Sequence, residues 1–340
     1  MIYRAAVAGA AVLALIGAGP GIGADTLRSV AATYYAKAGR ISTVTGRDTT
    51  MDYYQRLLDD ADLLAAPRPA SYPPQAWQDS VQAIARLDLS LATQLLSQSY
   101  QEMPAIRGLG ETLVRSSLDG TLQPVAVYVP STYSPEKPAP LAIFLHGRQE
   151  SETQLIGPQF VREIAERTGT ILVAPYGRGD YDFRGSESDV YDALDAAKRA
   201  FAVDEHRRYL AGYSMGAFSA FRLGPLHPED WSAVMCIAGS LLASRASTLV
   251  STMPRTRFYV LTGAKDDVVP TLWPTVTAIF LRDAGLAVTF YSQPDGTHSL
   301  RSLQDALAQA FGDMERDVVR LPTGLTGSAD LPDFAGPRGP

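Results

Sequence analysis

Ser214, His298 and an aspartate at 266 or 267 are the residues of this chain whose types and order could perform acyl transfer. A serine hydroxyl is a poor nucleophile until a base removes its proton. An imidazole titrates near neutrality, so it can take that proton and later return it to a leaving group, while a carboxylate fixes the imidazole tautomer and stabilises the imidazolium. Ser214 stands in Gly212-Tyr213-Ser214-Met215-Gly216-Ala217. Flanking glycines suit a turn too tight for bulky neighbours, which leaves the serine hydroxyl projecting alone.

The elements that must position these residues follow from the pattern around them. Arg207 to Ala211 reads as a short buried strand, and Met215 to Leu226 carries Phe218, Phe221 and Leu223 at helical spacing before the stop at Gly224-Pro225. The serine is thus expected at a helix N-terminus, where free N–H groups and the helix dipole favour negative charge. From residue 108 onward, strands and helices alternate, which implies a mostly parallel sheet covered by helices on both faces. Chemistry in such a sheet collects at the carboxyl ends of the strands. After the strand ending at Leu145 come His146-Gly147-Arg148, whose Arg148 N–H would pair with the N–H of Met215 to receive an oxyanion. After the strand ending at Thr262 come Gly263-Ala264-Lys265-Asp266-Asp267, and after Tyr291 come Gln293 to His298. Only four histidines exist, and His146, His206 and His227 are placed elsewhere, so His298 is the one left at a carboxyl edge. Adjacent side chains in a loop point apart, so either Asp266, the preferred acid, or Asp267 faces it.

Leu145-His146-Gly147, Pro175 to Asp180, Glu187 to Val190, the elbow at 212–216 and Gly263 to Asp266 resemble the prolyl-oligopeptidase-like and feruloyl esterase/polyhydroxybutyrate depolymerase branch of the α/β-hydrolases. The resemblance spans about residues 140–311. It implies an α/β-hydrolase fold with about eight strands, and Ser214, Asp266 and His298 as the triad. Ala217 departs from the third glycine often found after the elbow, the propeller domain of the prolyl-oligopeptidase-like members has no equivalent here, and the resemblance assigns no counterpart to the helical stretch before residue 107.

The remaining features set the context. With 340 residues, 46% hydrophobic and 19% charged, the chain can bury a large core, and its net charge of −6 without a basic stripe argues against a nucleic-acid partner. A single cysteine, Cys236, excludes an internal disulfide and a cysteine metal site, and neither a metal nor an organic cofactor is expected. Residues 1–24 have the order of a signal peptide, with cleavage after Ala24 or retention as an anchor; secretion or a periplasmic location follows, with no stable membrane span after cleavage. Residues 25–107 read as a helical N-terminal extension with helices at 27–38, 51–65, 74–87 and 89–100, and Asp59, Asp60 and Asp62 as a solvated face. Residues 108–320 form the expected catalytic domain, in which Ser186 and Asp189 suggest a capping box, and 321–340 an unstructured tail. Arg178 and Tyr181, in the loop 176–185, and Trp273, beyond the acid loop, are candidate substrate contacts. The chemistry expected is hydrolysis of a small-molecule or polymeric carboxylic ester by a secreted serine hydrolase. Its rivals are a serine peptidase with the same triad and a binding protein on a non-catalytic hydrolase scaffold.

Overall fold

The computed structural model of the protein describes residues 21–39, 41, 47–70, 72–179, 182–241 and 246–316. The signal-peptide reading lies mostly, and the tail reading wholly, outside these residues. Eight strands form one sheet in the order β1-β2-β4-β3-β5-β6-β7-β8. They are β1 (Gly108–Arg115), β2 (Leu122–Val129), β3 (Ala139–Leu145), β4 (Ile171–Pro175), β5 (Val203–Tyr213), β6 (Ala233–Ile237), β7 (Arg257–Gly263) and β8 (Val288–Gln293). The backbone divides into two compact units, one of residues 1–137 and 149–202, the other of 138–148 and 203–340.

The first unit opens with α1 (Ala24–Ala38), α2 (Arg47–Ala65) and α3 (Pro74–Ser97). In α1, Leu27, Val30, Ala31, Tyr34 and Ala38 recur every three or four residues and are all buried, so one stripe of the helix faces inward. That stripe meets Leu57 of α2 and Leu89, Leu91 and Leu95 of α3, while Tyr34 sets its ring edge-on to Tyr53 at 4.7 Å. The expected break at Asp88 does not occur. No glycine or proline interrupts α3 after its first residue, and Asp88 is fully buried among charged partners rather than turned to solvent. The helix ends where Gln98 takes a left-handed conformation, φ 52°.

Strands β1 and β2 form the expected antiparallel hairpin, Gly108 opposite Val129 and Arg115 opposite Leu122, and β2 continues antiparallel onto β4. Short α4 (Glu152–Ile156), which sequence periodicity does not reveal, and α5 (Gln159–Thr168) precede β4; α6 (Glu187–Ala200) follows it. The capping box expected at α6 is absent. Ser186 donates its hydroxyl to Gly177 O, and Asp189 is drawn to Arg178 and Ser116 instead.

In the second unit β3, β5, β6, β7 and β8 pair in parallel. Their central residues are apolar and fully buried, which marks strands covered on both faces. Helices α7 (Met215–Leu223), α8 (Ala246–Thr252), α9 (Leu272–Asp283) and α10 (Gln304–Arg316) belong to it. Strand β5 is longer than expected because its first half is half-exposed and polar, a pattern that resembles a loop in sequence. No described helix is long and apolar enough to cross a membrane.

Candidate active site

The site is built where β5 passes into α7. Ser214 is the joint, with φ 51° and ψ −115°, a conformation that side-chain-bearing residues seldom adopt. Two glycines make the turn possible. A Cβ on Gly212 would lie 2.0 Å from Gly216 O, and one on Gly216 would lie 2.3 Å from Leu145 O. Ser214 is held from behind, its N–H donating to Ile237 O at 2.8 Å, while its own carbonyl accepts from Ala217 N at 2.9 Å. The strain at the serine is therefore supported by main-chain bonds to a neighbouring strand and by the first turn of the helix.

Two loops at the carboxyl ends of β7 and β8 bring the other residues to it. Ala264 N donates to Gln293 O at 2.9 Å and Lys265 N to Gly296 O at 2.8 Å, so the loops are joined along their main chains. An exposed ion pair between Lys265 and Asp295 spans them at 2.5 Å. His298 Nε2 lies 2.9 Å from Ser214 Oγ, and His298 Nδ1 lies 2.9 Å from Asp266 Oδ2. The side chain of Asp266 is fully buried, and its Oδ1 accepts from the N–H groups of Val268 at 3.0 Å and Val269 at 2.8 Å. These three contacts hold the carboxylate where it can accept a proton from Nδ1, the tautomer that leaves Nε2 free to accept from the serine. Asp267 is exposed to solvent. Of the two aspartates, Asp266 is the one hydrogen-bonded to His298.

Met215 opens α7, so its N–H belongs to the first turn, whose donors intrahelical bonding leaves over. The carbonyls of Leu145 and His146 lie against Gly216, which puts the turn His146-Gly147-Arg148 against that same first turn. His146 is buried, with Nδ1 2.8 Å from Gly147 O, while the side chain of Arg148 is exposed.

The candidate substrate contacts differ among themselves. Arg178, also at positive φ, binds Asp189 through Nε at 2.7 Å and Asp119 through Nη1 at 2.6 Å, and donates to Ser116 at 2.9 Å. The Arg178 hydrogen bonds hold the Asp119 carboxyl well below the usual carboxylate range. Trp273 is half-buried in the first turn of α9. Tyr181 lies outside the described residues. Among the described residues, His227, Glu229 and Asp230 are the one group spaced to share a metal ion. His227 and Glu229 are exposed and Asp230 is paired with Arg208 at 2.9 Å.

Two features escape sequence reasoning. Tyr213, the residue before the serine, is buried, and its hydroxyl donates to the main-chain carbonyl of His298. Arg56 of α2 is buried among Asp60, Asp88, Glu111 and Glu152, so the acidic run of α2 is not a uniformly solvated face. An arginine one turn before an aspartate was the only local hint.

The chain matches no family profile. A stretch of 107 residues, 30% of this chain, is 27% identical to the bifunctional acetylxylan esterase/xylanase of Neocallimastix patriciarum, and it spans 16% of that protein's length. Among solved structures, the CE1 ferulic acid esterase of Anaeromyces mucronatus in complex with ferulic acid is 14% identical with a TM-score of 0.51, over 64% of this chain and 94% of that one. A second ferulic acid esterase is 18% identical with a TM-score of 0.50, over 61% and 98%. Est1E of Butyrivibrio proteoclasticus is 13% identical with a TM-score of 0.50, over the same shares. At these identities the likeness is one of fold.

Proposed function

We propose, on the premise that this chain has the α/β-hydrolase fold, that it is a serine hydrolase that cleaves carboxylic esters through an acyl-enzyme. The observation that supports this most directly is the unbroken chain of contacts from Ser214 Oγ to His298 Nε2 and from Nδ1 to Asp266, set on a strained elbow. Ser214 Oγ attacks the ester carbonyl carbon while its proton passes to His298 Nε2. The carbonyl oxygen becomes an oxyanion that the N–H groups of Met215 and Arg148 receive, each such donor being worth about 3 to 4 kcal/mol in the transition state. Collapse of the tetrahedral intermediate breaks the bond to the alcohol oxygen, which leaves with the proton from Nε2. A water molecule then repeats the sequence on the acyl-serine, and Asp266 stabilises the imidazolium in both halves.

Residues 108–320 would form the catalytic domain. Esters of polysaccharides are the first substrates to try, since the relatives named above are an acetylxylan esterase and ferulic acid esterases. Trp273 and Tyr181 are proposed to contact the bound ester. Arg178, with its guanidinium given to Asp119 and Asp189, would act on the shape of its loop. Residues 1–24 would direct export, which the N-terminal sequence of the exported protein tests.

The deciding experiment is intact-mass labelling by a fluorophosphonate, with hydrolysis of p-nitrophenyl acetate through laurate and of feruloyl esters measured beside it. Ser214→Ala should abolish labelling and lower kcat by more than about 10⁴-fold. Hydrolysis of peptide amides in preference to esters would redirect the reading to a peptidase, and a folded wild type that neither labels nor hydrolyses would end it.

A further inference from the structure

Tyr213 reaches both partners of the proton transfer. As the last residue of β5 it is joined by one peptide bond to Ser214, whose Oγ faces His298 Nε2 at 2.9 Å. Its phenol hydroxyl donates to the carbonyl oxygen of His298, and its ring lies 5.6 Å from the imidazole, centroid to centroid, at 35°. Backbone, phenol, histidine main chain and imidazole therefore form a closed ring of bonds and hydrogen bonds around the contact that moves the proton.

The rest of the histidine loop is anchored at other points. Gly296 O accepts from Lys265 N at 2.8 Å, and Thr297 N donates to Ser302 Oγ at 2.9 Å. Ser302 in turn donates to Ser299 O at 2.7 Å. These contacts hold the residues on either side of His298, whereas Tyr213 takes hold of the carbonyl of His298 itself and ties it to the elbow. Removal of the hydroxyl would leave a partly buried main-chain carbonyl without this donor and would let the histidine backbone move relative to the serine. We infer that Tyr213 is a positioning residue that sets the distance and angle between Ser214 Oγ and His298 Nε2. This rests on the reading of Ser214 and His298 as nucleophile and base.

The test compares wild type, Ser214→Ala and Tyr213→Phe, the last of which keeps the ring and loses only the hydroxyl. For Tyr213→Phe, kcat for p-nitrophenyl butyrate and the rate constant of fluorophosphonate labelling should both fall by roughly 10- to 100-fold. KM should stay within about threefold, because the defect lies in the geometry of the chemical step rather than in substrate binding. All rates are taken well below each variant's Tm, so that a purely structural role would change Tm and leave kcat and labelling alone. 4-Aminophenylalanine in place of Tyr213 restores a donor at the same place and should recover most of the rate; 4-methylphenylalanine, of similar size without a donor, should not. This pair also decides the matter if Tyr213→Phe does not fold. Wild-type rates in Tyr213→Phe or in the 4-methyl variant would overturn the role of Tyr213 while leaving the hydrolase reading in place. An inert wild type would overturn both.

Discussion

At the scale of single residues, the site combines one strained position with several hydrogen bonds that hold its neighbours. Asp266 and Asp267 show how much a neighbouring backbone decides. They are adjacent and chemically identical, yet the first is buried under two main-chain N–H groups and bound to His298, and the second faces water. Asp266→Asn keeps the size and presents an amide to Nδ1, which favours the wrong tautomer and leaves a proton on Nε2. The expected loss in kcat is about 10⁴-fold at neutral pH, with KM little changed. Asp267→Asn should alter kcat/KM by less than about threefold. Equal effects from the two substitutions, read from steady-state ester hydrolysis, would remove Asp266 from its proposed place.

At the scale of elements, the contact between α2, α3, β1 and α4 carries the most unusual chemistry outside the site. Arg56 Nη2 faces Glu111 at 2.8 Å, Glu152 at 2.9 Å and Asp88 at 3.2 Å, while Asp60 accepts from Gln154 and from Thr153. Four carboxyls around one guanidinium cannot all be ionised without a large desolvation cost. Burial, with Arg56 opposing it, raises Asp60 and pushes Glu111 well up; at Asp88 burial and the charge of Asp60 act together to push it well up. The folded protein therefore holds protons that the unfolded chain releases near its ordinary values of 3.8 and 4.5. Stability from this cluster is complete below those values and is lost as pH rises toward the folded ones, by up to about 1.4 kcal/mol per pH unit for each proton held. Asp119 has the opposite sign, its contribution being present above 3.8 and lost as pH falls below it. Chemical denaturation from pH 4 to 8 should show a maximum in mild acid and a decline toward pH 8. Arg56→Met should cost about 3 to 5 kcal/mol at pH 7 and less at pH 5, where protons replace the missing cation. Stability that climbs steadily from pH 5 to 8 would contradict this account.

The same elements show what the sequence reveals and what it hides. The alternation of strands and helices, the β1–β2 hairpin and the elbow are local patterns, and each is legible from spacing and turn residues. The order of serine, aspartate and histidine at strand ends names three residues that the fold joins by hydrogen bonds. The Arg56 cluster is a different matter. Its partners lie up to about a hundred positions apart in the chain, and a charged residue in a helix reads as solvent-facing until its partner is known. Asp88 reads as a helix boundary for the same reason. The hydroxyl of Tyr213 is likewise silent, because its acceptor is a main-chain carbonyl that carries no sequence signal.

At the scale of the molecule, the helices before residue 107 are part of the folded core of their unit rather than a detachable leader. Leu27, Tyr34, Leu57, Leu89 and Leu91 are fully buried with one another, and Leu113 of β1 packs against the same cluster. At roughly 1.5 to 3 kcal/mol for each large side chain, this burial is comparable to the whole stability of an ordinary domain. Two truncations separate residues 1–24 from the core. A chain beginning at Asp25 loses Ile22, whose main chain pairs with Gln82 at 2.8 and 2.9 Å, and α1 is shortened by a single residue. Its Tm should stay within a few degrees of the full chain, and its kcat should be unchanged. A chain beginning at Gly108 loses Arg56 and leaves Glu111, Glu152 and Leu113 uncovered, with two carboxyls deprived of their cation and an apolar face open to water. It should accumulate in the insoluble fraction or bind a hydrophobic dye without a cooperative melt. If the chain from Gly108 were instead soluble, cooperatively folded and as active as the full protein, α1, α2 and α3 would be an accessory layer, and the place to look for their role would be binding rather than folding.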